Sequence, residues 1–109
     1  MFVSLALEQI LDFVQHAKAD ERIKPLHISL YLAIYQYWVL GDCKNPVHVS
    51  RRKLMMTAKI SSIVIYHKGM NDLCSFKYIS YVPSYDPRTR SEVYLLTLTK
   101  AAGPAGTTL

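Results

Sequence analysis

Cysteine is scarce in this chain: Cys43 and Cys74 are the only two, and they form no Cys-x-x-Cys pair. That excludes a disulfide framework and suits a reducing cytoplasm, with both residues read as thiols. Glycine and proline are also few, at four and five, which excludes collagen-like and low-complexity architectures. Long apolar runs are missing. The longest, Leu30 to Leu40, has about eleven residues and contains Gln36, against the roughly 20 needed to span a bilayer. It reads as a buried helix. The start, Met1-Phe2-Val3, carries no basic region, and Glu8 and Asp12 interrupt its apolar run, so no export signal is expected.

Catalytic furniture is missing as well. No glycine-rich phosphate loop, paired carboxylates on one face, or nucleophile motif occurs. His67 and Cys74 fall on one helical segment, but structural zinc takes four ligands and nothing joins these two at recognised spacing. The expectation is a protein that is not an enzyme and that needs no metal or cofactor.

What is present is a chain of 109 residues, half of them apolar, enough for one domain with a single core. Its net charge of +5 is unevenly spread. Before His48 the charges nearly cancel. From His48 onward nine Lys and Arg face only Asp72, Asp86 and Glu92. A local positive field of this kind favours a polyanion or an anionic membrane surface as partner.

Between Val3 and Ala19, the apolar residues Leu7, Ile10, Leu11, Val14 and Ala17 recur at three- and four-residue spacing, which predicts an amphipathic helix. Pro25 closes that segment, and a core helix is expected from His27 to Leu40, stopped by Gly41-Asp42. Val47-His48-Val49 is a short extended piece. Ser50 can cap a helix over 51–58, in which Arg51, Arg52 and Lys53 crowd the first turn. The helix dipole disfavours cations there, so an external anion is implied. Ser61 or Ser62 can cap a fourth helix running to about Phe76, with Ile63, Tyr66, Met70 and Leu73 inward. After Lys77 the period changes to two, and a turn at 85–91 leads into a second strand over 93–98. This gives a hairpin whose tip carries Arg88 and Arg90.

Two helices joined by a short turn, preceded by a core helix and followed by a hairpin, form the element order of a winged helix-turn-helix. The predicted fold class is therefore mainly α with a small β-hairpin, an α+β domain. Residues 1–24 form an amphipathic N-terminal helix, 25–99 the winged domain, and 100–109 a disordered tail.

The segments Leu30-Tyr-Leu-Ala-Ile-Tyr-Gln-Tyr-Trp38, Val49-Ser-Arg-Arg-Lys-Leu-Met55, Lys59-Ile-Ser61, Tyr66-His-Lys68 and Tyr78-Ile-Ser-Tyr-Val-Pro-Ser-Tyr-Asp-Pro87 resemble small winged-helix proteins of Bacteroidetes mobile elements. A more distant resemblance is to the N-terminal winged-helix domain of DnaD-type replication proteins. Both imply DNA-binding or regulatory roles without catalytic residues. Where such relatives carry glycine before the aromatic-Ile pair, this chain has Lys77, which must adopt a left-handed conformation or end the helix differently.

A recognition helix in a major groove reads base edges with its solvent face. The residues available are Ser62, Ile65, His67, Lys68 and Asn71, with Ser61 just before them. Asn71 suits adenine, Lys68 guanine or phosphate, and Ile65 or Val64 a thymine methyl. Arg51, Arg52, Lys53, Arg88 and Arg90 suit phosphates, and the hairpin arginines also suit a narrow minor groove. An ordinary solvated face competes with this reading for Lys68, Asn71 and above all His67. A protein-docking module in a replication or excision complex competes with it as a whole. The apolar stripe of the first helix suggests a homodimer, which would present two recognition helices to successive grooves.

Overall fold

The computed structural model describes residues 2–84 and 90–98 as an α+β domain with four helices and one small antiparallel sheet. In chain order these are α1 (Phe2–Ala19), α2 (Pro25–Leu40), β1 (Val47–Val49), α3 (Arg51–Ala58), α4 (Ile63–Ser75), β2 (Ile79–Val82) and β3 (Ser91–Leu95). Arg88 and the expected tail at 100–109 lie outside the described residues.

Helix α2 is the axle. Its sequence is apolar almost all round, the pattern of a helix enclosed by its neighbours. It buries His27, Leu30, Tyr31, Ala33, Ile34 and Trp38, and it packs on α1, α3, α4, β1 and β3. It begins at Pro25, two residues before the predicted start. Proline at the first helical position needs no N–H there, so it opens this helix. Gly69 of α4 permits the closest approach to α2: a Cβ there would stand 2.5 Å from Leu30 Cδ1 and 3.2 Å from Leu26 Cγ. The Ser29 hydroxyl donates to the Ala58 carbonyl, tying the end of α3 to α2.

Helix α1 belongs to the same core through a face that keeps Ile10 and Ala17 of the predicted stripe, adds Phe13 and leaves the rest of the stripe out. Phe13 is 1% exposed, stacks on Tyr31 at 3.8 Å between ring centroids, and meets Tyr78 edge-on. Ala6, Ile10 and Ala17 pack against the same core. Gln9 donates to the Tyr31 hydroxyl and to the Leu96 carbonyl. Leu7, Leu11 and Val14 stay at least half exposed. Periodicity is compatible with either face, and the large flat ring of Phe13 opposite Tyr31 decides between them.

The sheet has strand order β1-β3-β2. β3 is central, pairing Val47 with Val93 on one side and Ile79 with Leu95 on the other. It starts at Ser91, earlier than expected, because β1 claims Ser91–Val93 as its partners. Asn45 extends that ladder with its side chain, accepting from the Leu95 N–H and donating to the Leu95 carbonyl, both at 3.0 Å.

Three helix ends share one device. Residues Asp42, Lys59 and Lys77 have φ of 62°, 63° and 73°, in the left-handed region. After α2, Cys43 N–H bonds Trp38 O and Asp42 N–H bonds Val39 O. After α3, Ile60 N–H bonds Met55 O and Lys59 N–H bonds Met56 O. After α4, Tyr78 N–H bonds Leu73 O and Lys77 N–H bonds Cys74 O. These paired bonds are Schellman caps, in which the left-handed position is ordinarily glycine. At the end of α2 the left-handed residue is Asp42, while Gly41 keeps φ at −96°. The predicted glycine stop is thus displaced by one residue.

Candidate nucleic-acid interface

The candidate surface is built by α3, α4 and the strand pair behind them. Ser50 caps α3, its hydroxyl accepting from the Lys53 N–H at 3.3 Å. That fixes the phase of the helix, so Leu54 and Ala58 turn inward while Arg51, Arg52 and Lys53 turn to solvent. Among the described residues no carboxylate stands within ion-pair distance of any of the three. Of the three, Arg51 has the Tyr66 hydroxyl of α4 as a neighbour. Burial pushes the pKa of that hydroxyl up, Tyr81 adds to the rise, and the nearby Arg51 guanidinium opposes it.

Ser62 caps α4, its hydroxyl accepting from the Ile65 N–H at 3.2 Å. This oxygen is committed to the helix end, and Ser61 is the exposed serine of the connection. Tyr66, Gly69, Met70 and Leu73 are buried. Ile65, His67, Lys68 and Asn71 are all exposed, on the solvent side of α4. The His67 ring lies edge-on to Tyr66 at 5.3 Å between centroids. Ile63, expected inward, is exposed with Val64 and Ile65. Met56 of α3 and Val82 of β2 are exposed apolar residues of neighbouring elements. Arg90 is exposed just ahead of β3. Arg88, its expected companion, lies outside the described residues.

Lys68 is the one reader candidate whose charge is already engaged. Its ammonium is 3.2 Å from Asp72 Oδ2, one helical turn on. The same oxygen is 2.9 Å from Nε2 of the buried His27 on α2. His27 Nδ1 accepts the Lys24 N–H at 2.9 Å, so the ring hydrogen sits on Nε2 and is donated to Asp72. These bonds to His27 and Lys68 hold the Asp72 carboxyl below the usual range despite some burial. A buried side chain at the start of α2 thereby orients a side chain on the open face of α4. The i,i+4 spacing of Lys68 and Asp72 was legible in the sequence, whereas the His27 partner was not.

Away from this surface, Arg22 lies over the Phe76 ring at 4.2 Å and pairs with Asp20 at 2.8 Å. A cavity of about 320 Å³ opens there, bordered by His16, Asp20, Arg22, Lys77, Tyr78 and Leu98. Cys43 is buried and Cys74 half-buried, both as thiols. Among the described residues no cluster of three His, Cys, Asp or Glu could hold a metal ion, and no helix is long and apolar enough to cross a membrane. No protein-family model, curated protein or solved structure matches the chain.

Proposed function

We propose that this chain is a winged helix-turn-helix protein that binds double-stranded DNA, with α4 in the major groove, in a transcriptional or mobile-element regulatory role. The observation that carries this is the first turn of α3: three exposed cations with no carboxylate partner among the described residues, one of them, Arg51, a neighbour of Tyr66 on α4. Cations there are unfavourable to the helix dipole unless an external anion approaches, and a phosphate backbone supplies a row of them. The sheet order β1-β3-β2 supports the winged arrangement, in which the β2–β3 connection is the wing. Arg90 at the end of that connection suits a phosphate or a narrow minor groove.

A salt titration of duplex binding tests this. Four to six phosphate contacts give a log–log slope of about −4 to −5, and Arg51→Ala with Arg52→Ala reduces its magnitude by about two. Binding that is absent at low salt, or flat with salt, refutes the proposal. A second reading, a protein-docking module in a replication or excision complex, is favoured by the exposed Ile63-Val64-Ile65 turn, and it predicts that refuting result. The exposed row Leu7, Leu11 and Val14 supports pairing of two chains through α1. Light scattering decides it: a monomer at micromolar concentration, unchanged in Leu11→Glu, sinks the dimer.

A further inference from the structure

The first three residues of α4 carry no polar side chain. Ile63, Val64 and Ile65 are 48%, 77% and 47% exposed, and all three are β-branched aliphatics. They occupy the first turn, the part of a recognition helix that meets base edges. Such side chains can neither donate nor accept a hydrogen bond. Set against a G·C pair, they would desolvate the guanine N7 and O6 acceptors and the cytosine N4 donor without compensation. Set against thymine, they meet a methyl group. The cation on this face that suits guanine, Lys68, is held by Asp72, which His27 anchors in turn. Farther along, the exposed Asn71 offers the paired donor and acceptor that match adenine. The first turn of α3 adds three exposed cations, of which Arg51 neighbours Tyr66 of α4, so the same domain carries charge complementary to a polyanion.

We infer that the first turn of α4 reads thymine C5-methyl groups, so that the preferred ligand is an A·T-rich duplex recognised from its major groove. This rests on the DNA-binding reading and deepens it. Each methyl buried against an aliphatic side chain contributes about fourfold in affinity, so two give about fifteenfold.

The test compares four duplexes of about 20 base pairs, roughly two turns of major groove, by fluorescence anisotropy at one fixed salt concentration. They are alternating dA·dT, the same sequence with deoxyuridine for thymidine, alternating dG·dC, and the last with 5-methylcytosine for cytosine. The uracil duplex lacks only the methyl groups. The 5-methylcytosine duplex places methyls in the major groove of G·C pairs. Wild-type protein is expected to bind the thymine duplex at least about fourfold more tightly than the uracil duplex, and methylated dG·dC more tightly than unmethylated. Val64→Ser, which removes both γ-methyls at a position 77% exposed, should change the thermal midpoint little and shrink the thymine-to-uracil ratio. Equal affinity for thymine and uracil duplexes overturns the methyl inference while leaving DNA binding intact. So does an A·T preference that survives uracil substitution and vanishes in Arg90→Ala, which marks minor-groove readout. No salt-sensitive binding to any of the four duplexes overturns the DNA-binding reading itself, and the inference with it.

Discussion

Replacing Lys77 by glycine should make this protein more stable, although it removes a charge and adds the most flexible residue. Lys77 closes the Schellman cap of α4 with φ at 73°. An L-residue with a Cβ adopts that region at a cost of about 1–2 kcal/mol, which glycine does not incur. Against this, glycine loses more backbone freedom on folding, roughly 0.5–1 kcal/mol. A lysine near a helix C-terminus also gains a few tenths of a kcal/mol from the dipole. The exposed Lys77 pairs with no carboxylate among the described residues, so no ion pair is lost. The net gain is about 0.5 kcal/mol, which for a domain of this size raises the melting midpoint by roughly 2–4 °C. Lys59, at φ 63° after α3, should behave alike, and the two gains should add because the caps share no hydrogen bond. Thermal unfolding followed by circular dichroism reads the effect. Thr57→Gly, on the exposed side within α3, is the control, and it should lose a few tenths of a kcal/mol. A midpoint that falls in Lys77→Gly as it does in Thr57→Gly would refute the cap assignment.

The packing leads to three further outcomes. Gly69→Ala sets about 1 kcal/mol of helix propensity against overpacking of about 1–3 kcal/mol from the 2.5 Å approach to Leu30, so denaturant unfolding should show a net loss of about 1 kcal/mol. An unchanged midpoint would mean that Leu30 rotates away freely. Arg22, through hydrogen bonds, holds Asp20 down to about 2 from 3.8, with the Tyr78 hydroxyl helping and burial opposing. A depressed folded-state pKa contributes stability above pH 3.8 that is lost as pH falls toward 2. Asp20→Asn should therefore cost about 1 kcal/mol at neutral pH, discounted for the exposed Arg22, and flatten acid unfolding between about pH 5 and 2; parallel curves count against it. Phe13→Ala removes the ring stacked on Tyr31 and should cost about 3–5 kcal/mol, whereas Leu11→Ala should cost under about 1 kcal/mol in the monomer; equal losses would place the core face of α1 wrongly.

Local chemistry determined much of this protein. Apolar spacing marks all four helices, the serines at 50 and 62 cap the two helices where hydroxyls are offered, and the change to period two after Lys77 marks the strands. The basic character of the first turn of α3 is a property of three consecutive residues, so its exposure follows once Ser50 fixes where the helix begins. Of the reader positions, Ile65, His67, Lys68 and Asn71 fall on the solvent side because Tyr66, Met70 and Leu73 set the inward phase. Tertiary structure alone decided the rest. Whether α1 buries Leu11 or Phe13 depends on which of them faces Tyr31, and the exposure of Ile63 depends on what packs against the first turn of α4. The His27–Asp72–Lys68 chain joins residues 45 apart in sequence, a pairing that no spacing rule encodes. The left-handed lysines are settled the same way: residue preference favours glycine at such caps, but the chain must turn there for β2 to reach β3 and for α4 to follow α3. Packing enforces a backbone conformation that the local sequence disfavours.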